Sequence, residues 1–220
     1  MNWKLTKTLF IFVFILVNIV LVSIYVNKVN RSHINEVESN NEVNFQQEEI
    51  RVPASILNKS VKGIQLEQIT GRSKDFSSKA KGAEYQLSEI SSDSVKYEQT
   101  YDDFPILNNS KAMLNFKIED NKATSYKQSM MDDIKPTDGA DKKHQVISVR
   151  KAIEALYYNR YLKKGDEVIN ARLGYYSVVN ETNVQLLQPN WEIKVKHDGK
   201  DKTNTYYVEA TNNNPKIINH

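Results

Sequence analysis

Eighteen consecutive residues, Leu9 to Val26 (LFIFVFILVNIVLVSIYV), carry no charge, and no other stretch narrows the possible fates of this chain as much. As a helix rising about 1.5 Å per residue the run covers roughly 27 Å, close to the ~30 Å hydrocarbon core of a bilayer. Its apolar residues Leu9, Ile11, Phe12, Phe14, Leu16, Ile19, Leu21, Ile24 and Val26 fall all round such a helix, as lipid exposure demands. Lys4 and Lys7 precede it, Lys28 and Arg31 follow it, and Trp3 and Tyr25 sit where interfacial aromatics belong. A cleaved signal peptide would carry a shorter apolar region, about 7–15 residues, and small residues at the cut. Here Tyr25 occupies that place, so the expectation is an uncleaved signal anchor. The short leading end is expected inside and the rest of the chain on the extracytoplasmic side of the cell membrane.

Within the run, Asn18 and Ser23 are the polar candidates for a helix–helix contact. An amide in lipid gains about 1 kcal/mol from a partner on another helix. The expected order is a cytoplasmic tail over 1–7, a transmembrane helix over 8–27, a stalk or linker over 28–50, and two related α+β units over 51–135 and 136–220. The second unit is the clearer. Val146, Val149, Ile153, Leu156 and Tyr157 recur at helical spacing, with Asp138 or Asp141 to cap the start and Gly165 to stop the end. Trp191–Lys196 then alternates strictly, Asp198-Gly199 turns, and Thr205–Ala210 returns. Leu114–Glu119, Asp120-Asn121 and Ala123–Met130 repeat that hairpin in the first half. Proline-bearing loops at Phe104-Pro105-Ile106 and Gln188-Pro189-Asn190 are expected before the two hairpins, and further strands over 64–70, 94–101 and 171–179. The fold class expected is therefore α+β, each unit a helix with an antiparallel sheet.

Chemistry-bearing patterns are sparse. The chain has no cysteine, which removes disulfides, thiolate metal sites and a lipoprotein anchor. His33, His144, His197 and His220 lack metal-site spacing, and no metal or other cofactor is expected. Ser78/Lys81 and Ser148/Lys151 satisfy S-x-x-K, but the companion motifs fail: Ser92-Asp93-Ser94 lacks the asparagine of S-D-N and Lys202-Thr203-Asn204 the glycine of K-T-G. Asp102-Asp103 reads as an exposed loop after a strand, and Asp132-Asp133 as turn or cap residues. With net charge +3 and charges of both signs, no basic stripe suits a nucleic acid. No catalytic residue is assigned and no enzyme is expected. Tyr157, Tyr158, Tyr161, Tyr175, Tyr176, Tyr206 and Tyr207 read as core residues with wet hydroxyls rather than an exposed interface.

The opening MNWKLTKTLFIFVFILVNIVLV, running directly into the apolar run, together with LQPNWEIKV…TYYVEA, resembles the YycI (WalI) family in its staphylococcal form. That resemblance implies a non-enzymatic, membrane-anchored regulator of the WalK–WalR (YycG–YycF) two-component system, which governs cell-wall metabolism. It implies the sister protein YycH, the sensor histidine kinase WalK and the lipid bilayer as partners. The alternative is an anchored PepSY-like module that inhibits an exported protease or binds cell-wall material.

Overall fold

The computed structural model describes residues 7, 12–22, 42–74, 84–137, 143–178 and 184–219. The chain divides into two compact units, residues 1–43 and 44–220. In the first, residues 12–22 form a helix, α1, whose side chains are exposed.

The second unit is built mainly of strands. In chain order it contains α2 (Ala54–Leu57), β1 (Gln65–Leu66), β2 (Ile69–Lys74), β3 (Tyr85–Ile90), β4 (Ser94–Tyr101), β5 (Phe104–Leu107), β6 (Met113–Glu119), β7 (Lys122–Gln128), β8 (Met130–Pro136), β9 (His144–Gln145), α3 (Val149–Tyr158), β10 (Glu167–Ser177), β11 (Val184–Lys196), β12 (Thr203–Glu209) and β13 (Ile217–Asn219). One eleven-stranded sheet runs β13-β12-β11-β10-β5-β4-β6-β7, with β2 added to β11, β8 to β2 and β3 to β4; β1 and β9 pair separately.

The centre is the long antiparallel pair β10–β11, in which Ala171 faces Ile193 and Leu173 faces Trp191. β12 extends it with Tyr206 opposite Ile193 and Val208 opposite Trp191. These side chains share one face of the pleat and are buried, as are Val149, Ala152, Ile153 and Leu156 of α3, which packs on β11 and β12. The Trp191 indole donates to the Ile147 carbonyl at 3.0 Å, so its polar edge is satisfied inside the core.

Two features bend the sheet nearly into a barrel. Gly174 lets β5 run parallel beside β10: a Cβ there would lie 2.4 Å from the Pro105 carbonyl oxygen. On the other flank, β11 passes from β2 (Val184–Leu187) to β12 (Asn190–Lys196), and Pro189 falls at the changeover. The Pro189 carbonyl accepts from the Ala210 N–H at 2.9 Å, and the Ala210 carbonyl, which a proline cannot serve, accepts from the Ile147 N–H at 2.8 Å. The ring β4-β5-β10-β11-β2-β8 is then closed by a side chain. Gln99 of β4 donates to the Met131 carbonyl at 2.9 Å and accepts from the Met131 N–H at 2.8 Å, standing in for a neighbouring strand.

The expected α+β pair of helix-plus-sheet, PepSY-like units is therefore corrected. The fold is predominantly β, and α3 is the one helix of more than a single turn among the described residues of 44–220. The halves are not separate: β5 pairs with β10, and β2 with both β8 and β11. Alternation reports which residues share a pleated face but not which strands lie side by side, so two similar hairpins read as a duplication. Nor is any helix among the described residues long and apolar enough to cross a membrane. The rest of the expected span over 8–27 lies outside those residues.

Several local expectations also change. Phe104–Leu107 and Gln188–Asn190 lie in strands, not loops. Ser148, not Asp138 or Asp141 (both outside the described residues), caps α3, its hydroxyl accepting from the Lys151 N–H at 3.3 Å. The helix ends at Tyr158 with Asn159 as its cap, and the left-handed residue after it is Arg160 (φ 62°), five residues before Gly165. Val146 is buried but precedes the helix.

Candidate functional site: surfaces and charge clusters

Of the residues proposed for the apolar span, Phe12, Phe14, Leu16, Ile19 and Leu21 lie on α1 and are 57–72% exposed. Leu9, Ile11, Ile24 and Val26 lie outside the described residues, as does Ser23. The Asn18 amide donates to the Phe14 carbonyl one turn back at 2.8 Å. An asparagine side chain offers two donors and two acceptor positions, so this bond leaves capacity for a second partner.

Residues 44–51, the first of the second unit, are held against α3 and the start of β10. Phe45 and Ile50 are buried, with the Arg150 guanidinium 5.8 Å from the Phe45 ring centroid. The Tyr157 hydroxyl donates to Glu48 at 2.7 Å, and Lys164 pairs with Glu49 at 2.6 Å. Backbone bonds complete the strap: Gly165 N–H to Glu49 O, Arg51 N–H to Asp166 O, and Val168 N–H to Arg51 O, each 2.9 Å.

Two polar clusters lie close by. Arg172 of β10 is clamped between Glu192 on β11, at 2.7 Å, and Glu98 on β4, at 2.6 Å; the two carboxylate side chains are 3% exposed. Burial works against the charge of the guanidinium, but Glu192 and then Glu98 outweigh it and raise its pKa. The pKa of the neighbouring Tyr207 phenol is also raised, but here burial is the first cause, since it favours the neutral phenol, and the Glu192 carboxylate adds to it. The second cluster is a chain: Asp166 to His197 Nδ1 at 2.8 Å, and His197 Nε2 to the Tyr206 hydroxyl at 3.0 Å. Asp166 also accepts from the backbone N–H groups of Lys163 and Asp198, which ties the loop before β10 to the β11–β12 turn.

The sequence-level chemical candidates stay apart. Among the described residues no group of three or more His, Asp or Glu side chains could hold a metal. His33, His220, Ser78 and Lys81 lie outside the described residues, and Ser148 is spent on the helix cap. Asp102 and Asp103 form the exposed two-residue β4–β5 turn, both with positive φ (48° and 67°). Tyr175, Tyr176, Tyr206 and Tyr207 are buried, Tyr157 and Tyr161 half-buried, and Tyr158 38% exposed. Among the described residues a solvent-facing apolar surface lies on the sheet. On β3, β4, β6 and β7, register places Leu87, Ile90, Val95, Tyr97, Phe116 and Tyr126 on a common face. Across three strands Tyr97 meets Phe116 in a T-shaped contact at 6.1 Å between centroids, and Phe116 meets Tyr126 in a tilted one at 5.9 Å. Leu87, Ile90 and Tyr126 there are 46%, 69% and 63% exposed.

Sequence reading missed Arg172, Glu98, Glu192, Gln99 and the Asp166–His197–Tyr206 chain. A faint signal existed for one pair: folding the β10 and β11 patterns against each other sets Arg172 opposite Glu192. Nothing local pointed to Glu98, 74 residues away.

The fold and these sites define a β-rich domain around a nearly closed sheet, preceded in sequence by an exposed apolar helix, its central charges paired internally. The chain belongs to the YycI family: residues 80–211 match the family described as YycI protein. That is a family of regulators, not a known enzyme family, and membership points to a regulatory role in the WalK (YycG) two-component system. No curated protein matches the chain. Among solved structures, an uncharacterized protein from Eubacterium rectale is similar at 10% identity with a TM-score of 0.37, over 57% of this chain and 42% of that one. The chain thus spans less than half the length of that relative.

Proposed function

We propose that the apolar N-terminal segment holds the chain at the cell membrane, with residues 44–220 on the outer face. There it works with a YycH-like sister protein to bias the sensor kinase WalK between signalling states. The observation that carries this reading is the family match over residues 80–211. The exposed apolar side chains of α1 and the aromatic face of β4, β6 and β7 support it, because they offer surfaces for other molecules. Bias of this kind requires only that contacts to the kinase differ in free energy between its two states. A mild-detergent pull-down of tagged full-length chain from native membranes, read by mass spectrometry, tests it. Recovery of a YycH-like protein and a sensor kinase, weakened by Asn18→Leu, supports the reading; recovery of neither refutes it.

A further inference from the structure

A cleft of about 260 Å³ opens between β1 and the β4–β5 turn. Residues 63–66 form one wall; Glu67 follows β1, Lys143 precedes β9, Tyr101, Asp102 and Phe104 come from the hairpin, and Tyr175 comes from β10. Tyr175 is 1% exposed, yet its hydroxyl makes no hydrogen bond among the described residues. That hydroxyl is not one of the buried side-chain atoms without a partner, Asn115 Oδ1 and Thr137 Oγ1, so the ring is buried while the hydroxyl meets solvent and can take a partner that arrives from there. Burial first, then Asp102, Tyr101 and Glu67, raise the pKa of this phenol and keep it a donor at neutral pH. All three of those residues line the same cleft, which sets the hydroxyl on the cleft side.

We propose that this cleft binds a small zwitterion, a free amino acid with a compact apolar side chain. Asp102 and Glu67 present carboxylates to the ammonium group; Lys143 and the Tyr175 hydroxyl take the carboxylate; Tyr101 and Phe104 flank the side chain. The alternatives fit less well. Two carboxylates against one lysine disfavour a phosphate or nucleotide, and the lysine disfavours a bare cation. The volume sits just below the usual ~300–1,000 Å³ of ligand pockets, too small for a drug-sized molecule. Nothing in this assignment rests on the regulatory reading above.

Isothermal titration of the detergent-solubilised full-length chain decides the matter, with D-alanine and L-alanine as probes beside N-acetylalanine and alaninamide. Saturable binding of at least one enantiomer is expected, about tenfold weaker once either charged end is blocked. Tyr175→Phe keeps the ring and its packing, and should weaken alanine about tenfold with an unchanged thermal midpoint; Asp102→Asn should do likewise. Absence of saturable binding by either enantiomer overturns the proposal. So does equal binding of the blocked forms, or wild-type binding by a folded Tyr175→Phe variant.

Discussion

Arg172 shows how much one position can hold. Its guanidinium joins β10 to β11 and to β4, with two carboxylates that have almost no contact with water. Removing one member of such a cluster strands the others, which costs about 3–5 kcal/mol, whereas replacing the whole cluster by neutral groups is often close to neutral. Arg172→Met should therefore lower the urea midpoint strongly, and adding Glu98→Gln and Glu192→Gln should recover most of the loss. If the single variant unfolds like the wild type, the clamp contributes little. Tyr175 and Tyr207 give a second residue-scale outcome. Both folded pKa values lie above the ordinary phenol value of about 10. Their contribution is complete below that ordinary value and is lost as pH rises toward the folded one. Tyrosinate absorbance followed with circular dichroism should show the buried pair ionising only as the fold is lost. Free ionisation of every tyrosine with the fold intact would contradict this.

At the scale of elements, the weakest join is the closure of the ring. β8 meets β4 through the amide of Gln99, which occupies both the N–H and the C=O of Met131. Gln99→Leu leaves two buried backbone groups unpaired, at about 1–3 kcal/mol each. Hydrogen exchange should rise along β8 while β10, β11 and β12 stay protected; uniform exchange would place the closure elsewhere. α3 was largely legible, because four of its five apolar markers fall on the helix and three of these are buried. Its cap was not: Ser148 had been read only as half of an S-x-x-K pair. Ser148→Ala should cost about 1 kcal/mol of stability in a denaturant titration. The hairpins β6–β7 and β11–β12 were read with little error, since a turn and two alternating strands are a local pattern. β3 and β5 were not foreseen, one for want of clean alternation and the other because Pro105 reads as a loop residue.

At the scale of the whole molecule, residues 44–51 matter most. They are strapped to the end of α3 and the start of β10, so they form part of the folded unit rather than a free leader. Phe45 and Ile50 are 5% and 2% exposed, and burial of a large apolar side chain stabilises by roughly 1.5–3 kcal/mol. A fragment of residues 44–220 should therefore melt at a clearly higher temperature than one of residues 52–220. Equal midpoints would mean the strap adds nothing. The strap bonds the Asp166 carbonyl and the Asp166 carboxylate bonds His197, so residues 44–51 lie two hydrogen-bonded steps from the β11–β12 turn.

The sequence alone determined what is local: the uncharged apolar run, the family resemblance, the β11–β12 hairpin, the amphipathic α3, and the absence of thiol chemistry. Each depends on residues a few positions apart, where spacing and geometry are nearly the same thing. Tertiary structure decided the rest. Only the fold shows that the halves share one sheet, that a glutamine side chain closes a ring of strands, and that Glu98 meets Arg172. Strand order and long-range pairing are set by burial summed over the whole chain, and no window of sequence records that sum.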